Sequence, residues 1–406
     1  MPSLRNWRKK RVTESNDKKV PALRFKGFTD DWEQRKFESL IYPEKIKNKN
    51  NLQLPAYSIS NKNGFIAQTD QFGKDNTYSK TDKKTNYIVN PGAFAYNPAR
   101  INVGSIGYQN LATPVLVSSL YEVFKTNSQI NDLFLIYWFK TDKFFNQIKK
   151  YEEGGVRQYY FLDKLLFSEI IIPKDAREQQ KISKILKKLD YLFSLQQRKL
   201  EQIKLLKKAM LQKILAETDN PYPKLRFFGF SNTWKKYTVN SLFKISRGYV
   251  LSTALTEANK SAHNPYPVYS SQTKNNGLMG YYNKYLYENA ITWTTDGANA
   301  GTVNYRSGKF YCTNVCGVIL SDKVDANQLI AEELNTVSKR YVSYVGNPKL
   351  MNNVMANIKI IIPDQYKERQ QISQLFSRQD VFKDVYQRKQ NVLKILKQFL
   401  LQNMFI

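Results

Sequence analysis

The sequence contains very little cysteine and histidine. Its 406 residues include two cysteines, Cys312 and Cys316, and one histidine, His263. A zinc site of cysteine and histidine would therefore lack ligands, and acid–base catalysis by histidine would depend on His263 alone. If both cysteines lie on one strand, they are about 13 Å apart at ~3.3 Å per residue, too far for a disulfide. We expect a metal-free protein with reduced thiols, located in the cytoplasm.

Long apolar runs are also missing. No stretch of about eighteen apolar residues occurs, so the sequence predicts no membrane-spanning helix. Residues 1–19 are basic but lack the apolar core of a secretory signal, and we interpret them as a flexible leader.

Acidic residues are few relative to basic ones. There are 34 Asp and Glu against 63 Lys and Arg, which gives a formal net charge of +29. A field of this strength attracts polyanions, so the composition predicts affinity for nucleic acid or for an anionic surface. Hydrophobic residues make up 42% and aromatic residues 14%. These fractions are typical of a folded protein, and the length allows two domains.

Two segments of the sequence occur twice. IIIPKDAREQQKI, at 170–182, returns as IIIPDQYKERQQI at 360–372, and PALRFKGFTDDW, at 21–32, returns as PKLRFFGFSNTW at 223–234. Each half of the chain therefore has the same order: a Leu-Arg-Phe opening, a long middle, an Ile-Ile-Ile-Pro ending and a helix. The repeat predicts two domains with one framework and different middles.

The two middles differ in sequence but share a composition. Short runs of Tyr, Phe, Val and Ile alternate with turn residues, which predicts strands and hairpins. We also expect one helix in each middle, over 129–151 and 326–345.

Each repeated ending leads into a long segment without proline or glycine. Asp175 can cap the first helix, with Glu178 at the capping-box position. The apolar residues that follow recur at intervals of three and four, which is typical of a coiled coil. They are Ile182, Ile185, Leu189, Leu192, Ile203, Leu206 and Met210 in the first helix and Ile372, Phe376, Phe382, Val392, Leu396 and Phe399 in the second.

Both helices become polar halfway along the apolar seam, at 196–199 (QQRK) and 386–389 (YQRK). Antiparallel pairing places these polar centres opposite each other. The heptads alone are equally compatible with a parallel pair. The short connection before 223–234 favours the antiparallel arrangement, with one domain at each end.

We therefore predict an α+β chain with internal pseudo-two-fold symmetry. Two mixed α/β domains are joined by two long helices that form an antiparallel coiled coil. The predicted boundaries are 1–19 for the leader, 20–173 and 218–363 for the domains, and 174–217 and 364–406 for the helices.

A basic chain with two unlike domains is suited to reading a split, non-palindromic DNA site. Candidate loops combine polar donors, a cation and turn residues; they are 60–64, 96–105 and 154–160 in the first domain and 270–277, 294–308 and 347–353 in the second. The candidate DNA-binding residues are Lys62, Asn63, Asn97, Arg100, Arg157, Gln158, Tyr159, Ser271, Gln272, Thr273, Lys274, Asn299, Arg306, Asn352 and Asn353.

Arg157 and Gln158 follow Gly154 and Gly155, which allow a loop to approach a groove closely. Arginine matches guanine and glutamine matches adenine. For each candidate the competing interpretation is a solvated position or a contact inside the domain. Helix cations likewise either form a solvated face or touch phosphates; they are Lys187, Lys188, Arg198, Lys207 and Lys208.

Three other classes of protein fit the sequence less well. A DNA methyltransferase needs a Gly-rich cofactor loop and an Asn/Asp-Pro-Pro motif, and NPAR (97–100) and NPYP (264–267) both lack the second proline. A nuclease needs clustered carboxylates, whereas TDKK (81–84) offers only an isolated Asp-x-Lys. A coiled-coil adaptor for an anionic surface retains the architecture without sequence reading, and competitor DNA of random sequence distinguishes it from a specific reader.

The repeated segments resemble the specificity subunit of type I restriction–modification enzymes. The resemblance is carried by the two openings, by the endings GGVRQYYFLDKL…IIIP and GNPKLMNNVMANIKIIIP, and by the Glu-x-Gln (178–180) and Glu-Arg-Gln (368–370) helix starts. It covers nearly the whole chain after residue 20. The basic leader departs from the family pattern.

This resemblance implies that 20–173 and 218–363 are target recognition domains, each reading one half of a bipartite site in double-stranded DNA, with the helices as spacer. It implies a non-catalytic subunit without a cofactor of its own. Its expected partners are two adenine methyltransferase subunits, which use S-adenosylmethionine, and two restriction subunits, which use ATP and Mg²⁺ for translocation and cleavage.

Overall fold

The computed structural model describes residues 19–61, 63–72, 82–151, 159–217, 220–271 and 274–406, except for the side chains of Phe72 and Lys274. The chain divides into two units, the first made of Met1–Leu195 with Gln390–Ile406 and the second of Gln196–Lys389. Within the described ranges, no helix is both long and apolar enough to cross a membrane.

The first unit combines short strands with helices. Its strands are β1 Glu33–Lys36, β2 Ile41–Pro43, β3 Ile46–Lys47, β4 Tyr57–Ser60, β5 Gly64–Ala67, β6 Tyr87–Val89, β7 Phe94–Tyr96, β8 Ile106–Tyr108, β9 Val115–Val117, β10 Glu122–Thr126 and β11 Glu169–Ile172. Its helices are α1 Gln68–Phe72, α2 Asp132–Trp138, α3 Asp142–Tyr151, α4 Leu162–Phe167 and the first half of α5 Ala176–Ile214. The sheets have the orders β2-β10-β7-β8, β3-β6-β9, β4-β5 and β1-β11.

The second unit has a larger sheet. Its strands are β12 Lys235–Thr238, β13 Phe243–Arg247, β14 Tyr266–Tyr269, β15 Leu278–Tyr282, β16 Tyr287–Thr294, β17 Val303–Cys312, β18 Cys316–Ser321 and β19 Lys359–Ile362. Its helices are α6 Val239–Leu242, α7 Gln328–Val337, α8 Asn352–Asn357 and the part of α9 Tyr366–Asn403 up to Lys389. α5 continues into this unit from Gln196, and α9 continues into the first unit from Gln390. The sheets have the orders β13-β18-β16-β17-β14-β15 and β12-β19. The α+β fold class is confirmed.

The Ile-Ile-Ile-Pro endings form the same ladder in both units. β11 pairs antiparallel with β1, with Ile172 opposite Glu33, and β19 pairs antiparallel with β12, with Ile362 opposite Lys235. In β11 the alternate residues Ile170 and Ile172 are buried, as expected for a half-buried strand. In β19 all three isoleucines, Ile360, Ile361 and Ile362, are buried. The proline then ends the strand and the long helix begins.

A buried ion pair attaches each opening to the start of a long helix. In the first unit, Arg24 donates two hydrogen bonds to Glu178, of 2.7 and 2.9 Å, and the Trp32 indole donates a third at 3.3 Å. In the second unit, Arg226 and Trp234 make the same bonds to Glu368, at 2.7, 2.9 and 3.3 Å. We call these two groups the Arg–Glu–Trp clamps. Glu178 was predicted as a capping-box residue; its carboxylate binds the clamp instead.

The same openings contact the end of the other long helix. The backbone N–H of Leu23 donates to the carbonyl of Asn403, and that of Leu225 donates to the carbonyl of Lys213, both at 2.8 Å. Carbonyls in the last turn of a helix lack partners within the helix, so these bonds cap the helix ends. Each opening therefore joins the start of one long helix to the end of the other.

Inside each unit, the two helix halves run antiparallel, as predicted. In the first unit, Asp190 of α5 pairs with Lys397 of α9, while Ile182 and Leu186 share a core with Met404. In the second unit, Ile214 shares a core with Ile372 and Phe376, and the Lys199 ammonium lies 5.9 Å from the Tyr386 ring. The polar centres of the two helices are thus opposed.

Several residues of the predicted apolar seam are exposed, so this part of the prediction is wrong. Leu206 is 56% exposed, and Phe382, Val392, Leu396 and Phe399 are 41–62% exposed. Buried positions include Leu200 and Leu400 instead. The heptad pattern identified the helices, but the packing of the domains against them selects which apolar residues are covered.

Lys207 does not lie on a solvated face. Its ammonium is 2.6 Å from Glu332 of α7 and 2.6 Å from Asp380 of α9, and Gln328 donates to both acids. This network joins the second domain to both helices of its unit.

The two predicted middle helices are each interrupted. The first divides into α2 and α3, because the Thr141 hydroxyl and N–H both bond the carbonyl of Trp138 and end α2. The second ends at Val337 and continues as a 3-10 turn over Ser338–Tyr341. There the Ser338 hydroxyl donates to Gly301 at 2.7 Å.

The cysteines do not share one strand, so the distance predicted for them does not apply. Cys312 ends β17 and Cys316 begins β18, with a turn between them. Both thiols are free and buried, and burial raises the pKa of Cys316 to about 11. They behave as small core residues.

Glu333 of α7 is a buried carboxyl that pairs with no cation of the described part of the chain. One of its oxygens accepts from the N–H of Ile361 at 3.1 Å, and the other has no hydrogen bond to any described residue. Burial raises the pKa of Glu333 from 4.5 to about 7.

We expect Arg24→Ala to lower the free energy of unfolding by about 3–5 kcal/mol, because it leaves the Glu178 carboxylate buried and unpaired. Urea unfolding of the full chain measures the change. The control is Arg177→Ala, which removes an exposed pair with Asp175 and should change stability little. Equal effects of the two variants would contradict the importance of the clamp.

We expect Glu333→Gln to stabilise the chain above pH 7. Below pH 4.5 the acid is protonated in both states and has no effect. Between pH 4.5 and 7 only the unfolded state loses the proton, so wild-type stability falls as pH rises, by on the order of 3 kcal/mol in total. The matched control is the adjacent Glu332→Gln, which loses the Lys207 ion pair and should destabilise. A wild-type unfolding midpoint that does not fall between pH 4.5 and 7, relative to Glu333→Gln, would refute this.

Candidate nucleic-acid interface

Several predicted DNA-binding residues lie outside the described part of the chain. They are Lys62, Arg157, Gln158, Gln272, Thr273 and the side chain of Lys274. Their DNA contacts stay predictions.

In the first unit, the loops 60–64 and 96–105 adjoin each other. Loop 60–64 closes the β4–β5 hairpin, and the Ser105 hydroxyl donates at 2.7 Å to the carbonyl of Ile59, just before it. Gly107 permits this approach, since a Cβ there would lie 3.2 Å from the backbone nitrogen of Phe65. The N–H of Tyr160 donates to the carbonyl of Pro98. Parts of all three predicted loops of the first domain are therefore neighbours.

Asn63, Asn97 and Arg100 differ in how free they are to contact DNA. Asn63 is exposed at the hairpin turn. The Asn97 side chain accepts from the N–H of Ala99 at 3.0 Å, which holds the turn 97–100. Arg100 is exposed beside it. The structure thus gives Asn97 a turn-forming role and leaves the Arg100 guanidinium at the surface.

Tyr159 is half-buried and forms a stack with a neighbouring aromatic ring. Its ring is parallel to that of Phe161 within 2°, with 5.5 Å between centroids. Phe161 is itself exposed. A stacked aromatic pair at the surface is a suitable platform for nucleobases or the sugar backbone.

In the second unit, Arg306 is inside the domain. It is 7% exposed, donates to Thr292 at 3.0 Å and to the carbonyl of Asn276 at 2.7 Å, and lies 3.7 Å above the Tyr269 ring. Burial lowers the pKa of Arg306, against the raising effect of Tyr269. These contacts join the strands of the sheet to loop 270–277, where Asn275 and Asn276 have positive φ.

The other two predicted loops of the second unit are bonded to each other. Gly297 donates to the carbonyl of Pro348 at 2.9 Å, and Leu350 donates to Thr295 at 2.8 Å. Loops 294–308 and 347–353 therefore form one surface.

The remaining candidates of the second unit lie on or next to these loops. Asn299 and Ser271 are half-buried. Asn352 donates to the carbonyl of Ser246 at 3.4 Å, whereas Asn353 is exposed and its carbonyl accepts from Asn357. Of these four residues, Asn353 is the one that is exposed.

Sequence reasoning missed Tyr344 and Val345, which precede the predicted loop 347–353. They are 71% and 91% exposed. A signal was present, since two apolar residues stand immediately before the turn sequence Gly-Asn-Pro.

Outside these loops, the helix cations Lys187, Lys188, Arg198 and Lys208 are exposed. Their exposure agrees both with a solvated helix face and with contact to DNA phosphates. Among the described residues, no three His, Cys, Asp or Glu side chains are placed to hold a metal ion.

Comparison with solved structures supports the fold. The chain superimposes on the crystal structure of a type I restriction–modification system S subunit from M. genitalium with a TM-score of 0.70, covering 95% of this chain and 99% of that one at 14% identity. A structure described as showing complex assembly and conformational transition of the type I R-M system matches with a TM-score of 0.50, 92% and 97% coverage and 14% identity.

Curated relatives from Mycoplasma pneumoniae match part of the chain. The N-terminus of a putative type I specificity subunit is 38% identical over 132 residues, which is 31% of this chain and 67% of that relative. A second putative type I specificity subunit is 36% identical over 132 residues, 32% of this chain and 35% of its own length. The MpnII specificity subunit is 30% identical over 141 residues, which are 34% of this chain and 42% of that subunit.

The family match extends over both halves. Residues 29–205 and 231–394 each match the type I restriction modification DNA specificity domain. Such subunits provide DNA sequence recognition and are non-catalytic. This chain belongs to the family of type I restriction–modification specificity subunits.

Proposed function

We propose that the two units read the two halves of a bipartite, non-palindromic site in double-stranded DNA, and that α5 and α9 fix the gap between the halves. The main support is that one framework occurs twice. The strand ladder, the Arg–Glu–Trp clamp and the helix cap are present in both units, whereas the sheets between them differ. A shared framework with unlike reading surfaces suits a site with two unlike halves.

The charge and the loops support contact with DNA. The net charge of +29 supplies phosphate affinity that depends on salt but not on sequence. In each unit the predicted loops adjoin one another and carry exposed polar residues, including Asn63 and Arg100 in the first and Asn353 in the second. Side chains of this kind distinguish base edges in a groove.

We further propose that the chain directs adenine methylation and restriction by partner subunits. These would be two methyltransferase subunits with S-adenosylmethionine and two restriction subunits with ATP and Mg²⁺. Exposed apolar residues of α9 support protein partners, because isolated soluble chains rarely expose such stripes. They are Val392, Ile395, Leu396 and Phe399 in the first unit and Val381, Phe382 and Val385 in the second.

The central test is a map of methylated adenines. The full chain would be co-expressed with a cognate methyltransferase subunit in a host that lacks adenine methylation, and modified positions read by single-molecule sequencing. We expect one split motif with a fixed gap. Replacing residues 20–173 by the equivalent part of another family member should change one half of the motif and leave the other half and the gap unchanged.

Two outcomes would refute the proposal. A motif that changes in both halves would contradict modular reading. An assembled complex that methylates no defined motif, or whose binding is abolished by random competitor DNA, would favour the adaptor interpretation.

Substitution of an exposed arginine and of a buried one should distinguish a DNA contact from a contact that stabilises the domain. We expect Arg100→Gln to retain the unfolding temperature, to weaken DNA binding, and to reduce the slope of log K against log salt by about 0.9, the value for one phosphate contact. Arg306→Gln should lower the unfolding temperature, because it loses two hydrogen bonds and the Tyr269 stack. Unchanged DNA affinity for Arg100→Gln would exclude Arg100 from the DNA interface, whereas a lower affinity with an unchanged salt slope would indicate a contact with a base edge.

A further inference from the structure

Residues 343–349 form a hairpin that ends in two exposed apolar side chains. Ser343 and Lys349 exchange both backbone hydrogen bonds, each 2.9 Å long. Gly346, at φ +72°, supplies the left-handed conformation of the turn. Tyr344 and Val345 occupy the tip, 71% and 91% exposed. We call residues 343–349 the finger.

The finger is held rigidly at its base. Pro348 accepts from Gly297 at 2.9 Å, and Leu350 both donates to Thr295 at 2.8 Å and accepts from the Trp293 indole at 3.0 Å. Leu350 is completely buried, and Trp293 is a core residue of the second unit. The tip is therefore fixed relative to the sheet, and its position does not depend on a flexible loop.

Folding gives no reason for apolar residues at this tip. Tyr344 and Val345 bury little surface and so contribute little hydrophobic stabilisation. Their surroundings are cationic: Lys339, Arg340 and Lys349 are all exposed near the base of the finger. A rigid apolar tip on a base that carries exposed cations suits a DNA groove, in which phosphates flank the apolar and polar edges of the bases.

We propose that Tyr344 and Val345 enter a groove of the half-site read by the second unit and contact base edges directly. The inference depends on the proposed DNA reading and adds a specificity element to it. Val345 offers methyl groups for contact with a thymine methyl, and the Tyr344 ring offers a flat face for a sugar or base. Lys339 and Arg340 bind phosphates next to the base of the finger.

The test compares two double variants of the full chain, each assembled with its methyltransferase subunits. Binding is measured over a salt series, on the bipartite duplex found by methylation mapping and on a random duplex. We expect Tyr344→Ser with Val345→Ser to lose at least about tenfold affinity for the bipartite duplex, with unchanged random binding and unchanged salt slope, since no phosphate contact is removed. Lys339→Gln with Arg340→Gln should weaken both duplexes and reduce the slope by about 1.8.

Each other outcome has a definite meaning. If the tip variant retains its affinity for the bipartite duplex, or loses affinity equally for both duplexes, the inference is wrong. If the tip variant fails to assemble although its unfolding temperature is unchanged, the finger contacts a protein subunit, and the inference is also wrong. A wild-type complex without preference for any duplex would instead refute the proposed function, which the wild-type series detects separately.

Discussion

The fold depends on one buried charge pair, used once in each unit. Glu178 and Glu368 are almost completely buried, and each is neutralised by an arginine from an opening segment far away in sequence. A buried carboxylate without its arginine is strongly unfavourable, whereas the completed pair adds only modest stability. Its main effect is therefore to fix how three segments pack together: the opening, the start of one long helix and the end of the other.

This arrangement explains why the frame repeats while the middles differ. The ladder, the clamp and the helix cap together fix where a middle begins and ends, independently of what lies between. The first middle forms several small sheets, and the second forms one larger mixed sheet. The frame therefore accepts middles of different sequence and sheet order, as the two units of this chain show.

The frame could be predicted from sequence because its residues are repeated and its helices are long. The role of Glu178 in the clamp was missed, because a glutamate at this position of a helix start is equally typical of a capping box. Lys207 was also misjudged, and Arg306 makes the contact inside the domain that was the alternative to DNA binding. Their partners Glu332 and Asn276 are distant in sequence, and burial by a distant partner leaves no local pattern. The finger was missed because exposure at a hairpin tip depends on the hydrogen bonds at its base.

The two units differ in how their segments are ordered along the chain. The second unit is continuous, from Gln196 to Lys389, whereas the first requires Gln390–Ile406 in addition to its N-terminal part. Leu400, Met404 and Phe405 belong to the same core as Trp32 and Ile182. The core of the first unit is therefore assembled from two separate stretches of chain, whereas the second unit takes all its residues from one continuous stretch. A cut after Lys389 would remove part of the core of the first unit and leave every residue of the second unit in place.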